Sequence, residues 1–145
     1  MTIENNTEGG TDGPVDVLAH VEASCDRIWR SFTDADELTA WYWPSRLQPS
    51  AALDVQVGGH YRISAAAQPM AVHGKYLELE SPRRAVMTWQ WDGGDTTSIV
   101  ALTLDPAGTG TDVRVVHDGL PAEDKAAHLQ GWADCLGRLP AHLAA

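Results

Sequence analysis

The sequence predicts an α+β fold of the helix-grip kind: a curved antiparallel sheet wrapped around a long C-terminal helix, with two short helices after the first strand. Three observations carry that expectation. Short segments of alternating apolar and polar residues recur from residue 15 to residue 117, separated by Gly, Pro and Asp turns. Two compact stretches with helix-capping residues, Ser24 and Asp34, interrupt the series near its start. The only long helical pattern comes last, where Leu129, Trp132, Ala133, Leu136 and Leu139 recur at helical spacing. Strands joined by tight turns pair antiparallel, and the terminal helix is the one element able to cover their apolar face.

Residues 1–14 are polar and Gly-rich with almost no apolar side chain, which predicts an unstructured tail, and residues 15–145 form a single domain. Val15, Val17, Ala19 and Val21 alternate with Asp16, Leu18 and His20 as the first strand. Ser24 caps a helix anchored by Ile28, Trp29 and Phe32, and Thr33 or Asp34 caps a second that holds Leu38, Trp41 and Tyr42 and stops before Pro44. Strand-like segments follow over 47–57, 60–64, 72–80, 84–91, 97–104 and 112–117, with turns at Gly58-Gly59, Ser81-Pro82, 92–95 and 106–110. The last helix is expected from Leu120, with Pro121 in its first turn, and is expected to end or kink near Leu139, because Pro140 cannot donate to the Leu136 carbonyl. Gly131 lies inside it at a cost of about 1 kcal/mol relative to Ala, which suggests a close approach to the helix backbone there; Gly137 reads as simple tolerance.

Composition narrows the function. A formal net charge of −10 opposes phosphate backbones and argues against nucleic-acid binding. No apolar run is long enough to span a bilayer and no signal peptide is seen, so a cytoplasmic protein that does not enter the membrane is expected. Cys25 and Cys135 lack metal-motif spacing and read as free thiols. No nucleophile elbow, phosphate-cradling Gly loop or His-Glu-x-x-His run occurs, so no catalytic residue, metal or cofactor is assigned. His117, at the end of the last strand, and His128, on the helix that follows, should come close. Joined by Cys135 they could form a metal set, but the supporting pattern is not visible, and both histidines are expected to be hydrogen-bonded groups in or near the core. A proton-transfer role for His117 would require a pKa near neutrality.

Six tryptophans stand against one phenylalanine. Strand parity puts Tyr61, Met87, Trp89 and Trp91 on one concave face, with Trp132 from the helix and Trp41 from the second short helix closing the volume. With His117 and His128 as polar anchors, this set could hold a small hydrophobic or aromatic ligand; the same side chains could equally fill the core. Trp29 is placed as packing between a short helix and the sheet, and exposed tryptophans could line a homodimer contact.

Several phrases in order carry a resemblance. They are Arg27-Ile28-Trp29 with Phe32-Thr33-Asp34, Trp41-Tyr42-Trp43-Pro44, Val57-Gly58-Gly59-His60-Tyr61 and Gly74-Lys75-Tyr76-Leu77-Glu78-Leu79. Pro82-Arg83-Arg84-Ala85-Val86-Met87-Thr88-Trp89, Gly119-Leu120-Pro121 and His128-Leu129-Gln130-Gly131-Trp132 follow. Together they span roughly residues 15–143 and resemble the START/Bet v 1-like (SRPBCC) superfamily, in the branch similar to the C-terminal domain of the activator of Hsp90 ATPase. The resemblance implies a helix-grip fold with a cavity under the helix. Its functional range implies three readings: a soluble binding protein for a small hydrophobic molecule, an Hsp90-activator-like interaction module, or a cyclase or hydrolase that uses a pocket histidine. Such co-chaperones carry a separate N-terminal domain that this sequence lacks, which places Hsp90 second as a partner.

Overall fold

The computed structural model describes residues 13–144, and residues 2–5 by their backbone alone. Strand β1 (Thr2–Asn5) is followed by β2 (Val15–Val21), α1 (Cys25–Thr33) and α2 (Ala35–Trp41). Then come β3 (Pro49–Leu53), β4 (His60–Ala65), β5 (Met70–Glu80), β6 (Arg84–Trp91), β7 (Ser98–Ala107), β8 (Gly110–Asp118) and the long helix α3 (Lys125–Ala144). The strands form one sheet in the order β1-β2-β8-β7-β6-β5-β4-β3, with every neighbouring pair antiparallel. This is the α+β helix-grip arrangement expected from the sequence.

Local chemistry explains the elements. Val15, Val17, Ala19 and Val21 are all buried, and across the β2–β8 ladder Val15 faces His117 and Val17 faces Val115. The same inward rows continue in β7, where Val100 opposes His117 and Leu102 opposes Val115. The Ser24 hydroxyl accepts from the Arg27 amide at 3.1 Å and the Asp34 carboxylate from the Glu37 amide at 3.1 Å, so each short helix starts on a side-chain cap. Helix α3 turns Trp132, Cys135, Leu136 and Leu139 onto the sheet.

Several expectations are corrected. The start was expected to be unstructured, but Thr2–Asn5 pairs with β2, because backbone donors and acceptors on an edge strand pair without any side-chain pattern. The rest of the expected tail up to residue 12 lies outside the described residues. The β7–β8 turn is tighter than 106–110: Ala107 pairs with Gly110, and Gly108 takes a φ of 60° that suits glycine. The long helix begins at Lys125, after a 3₁₀ turn at Ala122–Asp124 in which the Asp124 amide donates to the Pro121 carbonyl at 3.0 Å. It also runs through Pro140 to Ala144. Leu139 is fully buried, Leu143 packs on the core, and His142 Nε2 lies 3.0 Å from Glu37 Oε1, so the final turn is held from both sides of the proline.

Candidate functional site

The site is built where β6, β8 and α3 converge. At the inner end of β8, His117 is completely buried. The indole N–H of Trp132 donates to His117 Nδ1 at 3.0 Å. An Nδ1 that accepts leaves the proton on Nε2, which then donates to Ser98 Oγ at 2.7 Å. The Ser98 hydroxyl passes its own proton to the Trp89 carbonyl at 3.2 Å. One directional chain thus links α3, β8, β7 and β6 and fixes the histidine tautomer. Burial, helped by the neighbouring His128 ring, pushes the His117 pKa down to about 3. That is far from the near-neutral value a proton-transfer role would require, and it suits the hydrogen-bonded core group expected from the sequence. A proton on Nδ1 would confront the Trp132 donor with a second donor, so His117 is a neutral brace and not a general base.

Two spaces border this brace, and Tyr42, Trp89 and Trp132 line both. The inner one lies between sheet and helix, with Tyr61, Met87 and Leu79 in its wall and a cavity volume of only about 50 Å³. That is room for a water or two and too little for an organic ligand. The gap under the helix is therefore mostly filled by side chains, the second of the two arrangements that the sequence left open. The outer space is a cleft of about 550 Å³, within the range of small-molecule sites. It opens between the end of β6, the segment that follows α2 and the first turns of α3.

The cleft is aromatic on three sides. Trp43 and Trp91 present parallel rings, with centroids 6.3 Å apart and planes 7° from parallel. Trp91 meets Trp89 edge-on at 5.9 Å, and its indole N–H points to His128 Nε2 at 3.4 Å. Burial lowers the His128 pKa, with Asp124 opposing the shift. Its ring stands perpendicular to that of His117, centroids 5.0 Å apart. Gly131 lies on the helix wall, and a Cβ built on it meets nothing within 4 Å. The expected close approach to that glycine is thus absent; its bare backbone borders open space. Arg138 donates to the Trp41 carbonyl at 2.9 Å and the Tyr42 carbonyl at 2.7 Å, fixing the α2 end against α3. Charged side chains in the lining balance: Arg46 and Arg138 against Asp124 and Asp134.

The eight residues expected to bind ligand are distributed as follows. Trp89 and Trp132 line both spaces, Tyr61 and Met87 the inner one, and Trp91 and His128 the cleft. His117 lies behind them as the brace. Trp41 lines neither space: it is buried against Phe32, ring centroids 4.9 Å apart, and its indole N–H donates to the Ser31 carbonyl at 3.1 Å. Its neighbours Tyr42 and Trp43 take the place expected for it, and Trp29 joins the lining of the inner cavity. The missed residues Tyr42, Trp43 and Gly131 all sit in motifs noted in the sequence. The signal was present, but the helical phase at the end of a short helix was not readable. His117, His128 and Cys135 do not assemble as metal ligands: both His117 nitrogens are engaged in hydrogen bonds, and among the described residues no three such side chains come together to hold a metal ion. Among the described residues no helix is long and apolar enough to cross a membrane.

The likeness to known proteins can be set against this geometry. A Chromobacterium violaceum protein of known structure is 28% identical, with a TM-score of 0.77 over 89% of this chain and 96% of that one. DynU16, a protein in the dynemicin biosynthetic locus, superposes with a TM-score of 0.80 at 23% identity, over 92% of this chain and 48% of that one. An HSP90 activator from Plasmodium falciparum superposes with a TM-score of 0.75 at 20% identity, over 91% and 96% of the two chains. At those identities the last two show a shared fold. An uncharacterized protein of Schizosaccharomyces pombe is 30% identical over 103 residues, which is 69% of this chain but 28% of the yeast protein. This chain therefore matches just over a quarter of that relative's length. The sequence profile described as "Activator of Hsp90 ATPase homolog 1-like protein" matches residues 22–144. With the helix-grip sheet and the aromatic cleft beside its terminal helix, the chain belongs to the activator of Hsp90 ATPase homolog 1-like family, within the START/Bet v 1-like superfamily.

Proposed function

We propose that the protein binds a small hydrophobic or aromatic molecule in the cleft between the end of β6 and the first turns of α3. The observation that carries this reading is the composition of the cleft. A space of about 550 Å³ is walled by Trp43, Trp89, Trp91 and Trp132, four of the six tryptophans in the chain, with His128 at its polar side and bare helix backbone at Gly131. Flat apolar rings around an opening of that size favour a planar apolar guest, and a few convergent polar groups fix its orientation. A titration of intrinsic tryptophan fluorescence with a panel of naphthyl and fatty-acyl probes tests it. Saturable quenching or a blue shift by at least one class at micromolar concentration is expected. No response to any class would remove the binding reading.

Family membership favours a second reading, a module that docks on an Hsp90-type chaperone. Co-precipitation of the tagged protein with purified Hsp90 in the presence of ATP tests it: recovery of a stoichiometric complex supports docking, and recovery no greater than with a control protein sets it aside.

A further inference from the structure

Arg138 differs from the other charged side chains of the cleft. Four line it, Arg46 and Arg138 against Asp124 and Asp134. Their number balances, but their surroundings do not. Arg46, Asp124 and Asp134 are exposed, where water and salt screen them, and Asp134 already accepts from Gln130 at 2.8 Å. Arg138 is half-buried, on the face of α3 that also brings His128, Gly131 and Cys135 to the cleft at spacings of three and four residues. Its guanidinium makes no ion pair with a described carboxylate; it donates from Nε and Nη2 to the Trp41 and Tyr42 carbonyls. Those carbonyls close the end of α2 and offer only a fraction of an elementary charge. A cation drawn out of water is ordinarily matched by a full counter-charge, so what Arg138 lacks is an anion. Nη1 takes no part in holding α2. It is not sealed either, since Trp89 Nε1 is the one sealed side-chain polar atom without a partner among the described residues. Its two N–H groups therefore stay open to a guest, on a guanidinium plane that two bonds already fix. The planar fork of arginine suits a carboxylate. The Tyr42 carbonyl that holds Nη2 is one peptide unit from Trp43, so the cation and an aromatic wall of the cleft are neighbours.

Resting on the binding reading above, we propose that the guest is an aromatic carboxylate, with its carboxylate received by Arg138 and its ring lying against Trp43.

The test compares 2-naphthoate with 2-acetonaphthone, a neutral molecule of the same shape, by titration calorimetry near neutral pH. The intact protein is expected to bind naphthoate about tenfold more tightly. Its net charge of −10 works against any anion at a distance, so a preference of that sign reports a local cation. Arg138→Gln keeps a donor for the α2 carbonyls and removes the charge, so the ratio of the two affinities should fall to about one or below. Arg46→Gln removes a screened charge and should leave the ratio within about twofold. If Arg138→Gln does not fold, the Arg138 Nε–H signal is followed in a ¹⁵N-correlated NMR spectrum of the unaltered protein: naphthoate is expected to move it, and acetonaphthone to leave it in place. Equal or reversed affinities for the two probes, a ratio unchanged in folded Arg138→Gln, or an Nε–H signal that naphthoate does not move overturns the carboxylate assignment and leaves the binding reading standing. If neither probe binds, both fall.

Discussion

His117 Nδ1 accepts the indole N–H of Trp132 across 3.0 Å, and this bond joins the last strand to the long helix at a fully buried histidine. Trp132→Phe keeps most of the apolar bulk but leaves Nδ1 without a donor. It is expected to cost about 1–3 kcal/mol of unfolding free energy, measured by urea denaturation. His117→Ala also opens a void and frees Ser98, so it is expected to cost more. The double variant should lose less than the sum of the two, because both changes remove the same bond.

The same histidine makes stability depend on pH, with a definite sign. Its folded pKa is about 3, well below the ordinary 6.5, so between those values the unfolded chain binds a proton that the folded chain refuses. Stability therefore falls as pH falls from about 6.5 towards 3, at up to roughly 1.4 kcal/mol per pH unit from this group. His128, also lowered by burial, acts in the same direction. His20 acts oppositely. Its hydrogen bonds to Asp112 and Glu22 raise its pKa, so its contribution is present below 6.5 and is lost as pH rises through the raised value. Asp92, held low by Arg62, adds a loss in a more acid window, below the ordinary carboxylate value. Urea midpoints measured from pH 7 to pH 4 should decline less steeply in His117→Asn than in the unaltered protein.

Gly131 separates stability from binding. A Cβ there touches nothing, and glycine inside a helix costs about 1 kcal/mol relative to alanine. Gly131→Ala should therefore raise the melting temperature by several degrees, the size expected of about 1 kcal/mol in a domain of this length. Gly131→Phe places a ring in the cleft; it should leave the melting temperature at or above that of the unaltered protein and weaken naphthyl binding at least tenfold. Unchanged affinity in a folded Gly131→Phe would move the ligand elsewhere.

Trp41 and Trp43, two residues apart, should behave as opposites. Trp41 is 1% exposed and its indole is bonded to the Ser31 carbonyl, so Trp41→Ala should destabilise by about 3–5 kcal/mol. Trp43 lies half-buried on the cleft wall, so Trp43→Ala should cost less stability but weaken binding of an aromatic probe by about 1 kcal/mol or more, the scale of one lost ring contact. Thermal melts paired with calorimetric titrations of both variants read this out.

Most of the fold was legible because it rests on local rules. Alternation in β2, β6 and β8 fixed which side chains face inward, and the caps at Ser24 and Asp34 placed the short helices. Strand parity also carried part of the site: Met87, Trp89 and Trp91 do face the interior, and Trp132 meets them from α3. Parity fails where the ladder is irregular. A register shift between Tyr76 and Glu78 turns both Tyr76 and Leu79 inward and leaves Glu78 exposed, so no carboxylate faces the histidines from β5. At the end of α2, consecutive residues differ by about 100° around the axis, and one step decided that Trp41 fills the core while Tyr42 faces the spaces. The passage of α3 through Pro140 was not legible either, since it depends on Glu37 and the buried Leu139, contacts that form only in the folded chain.

The central claim, a guest seated between β6 and α3, is tested most directly by the six indole N–H signals in a ¹⁵N-correlated NMR spectrum during titration with 2-acetonaphthone. Progressive shifts of the Trp43, Trp91 and Trp132 signals are expected, with that of Trp41 staying in place. Six signals unmoved at millimolar probe, or a response confined to Trp41, would contradict it.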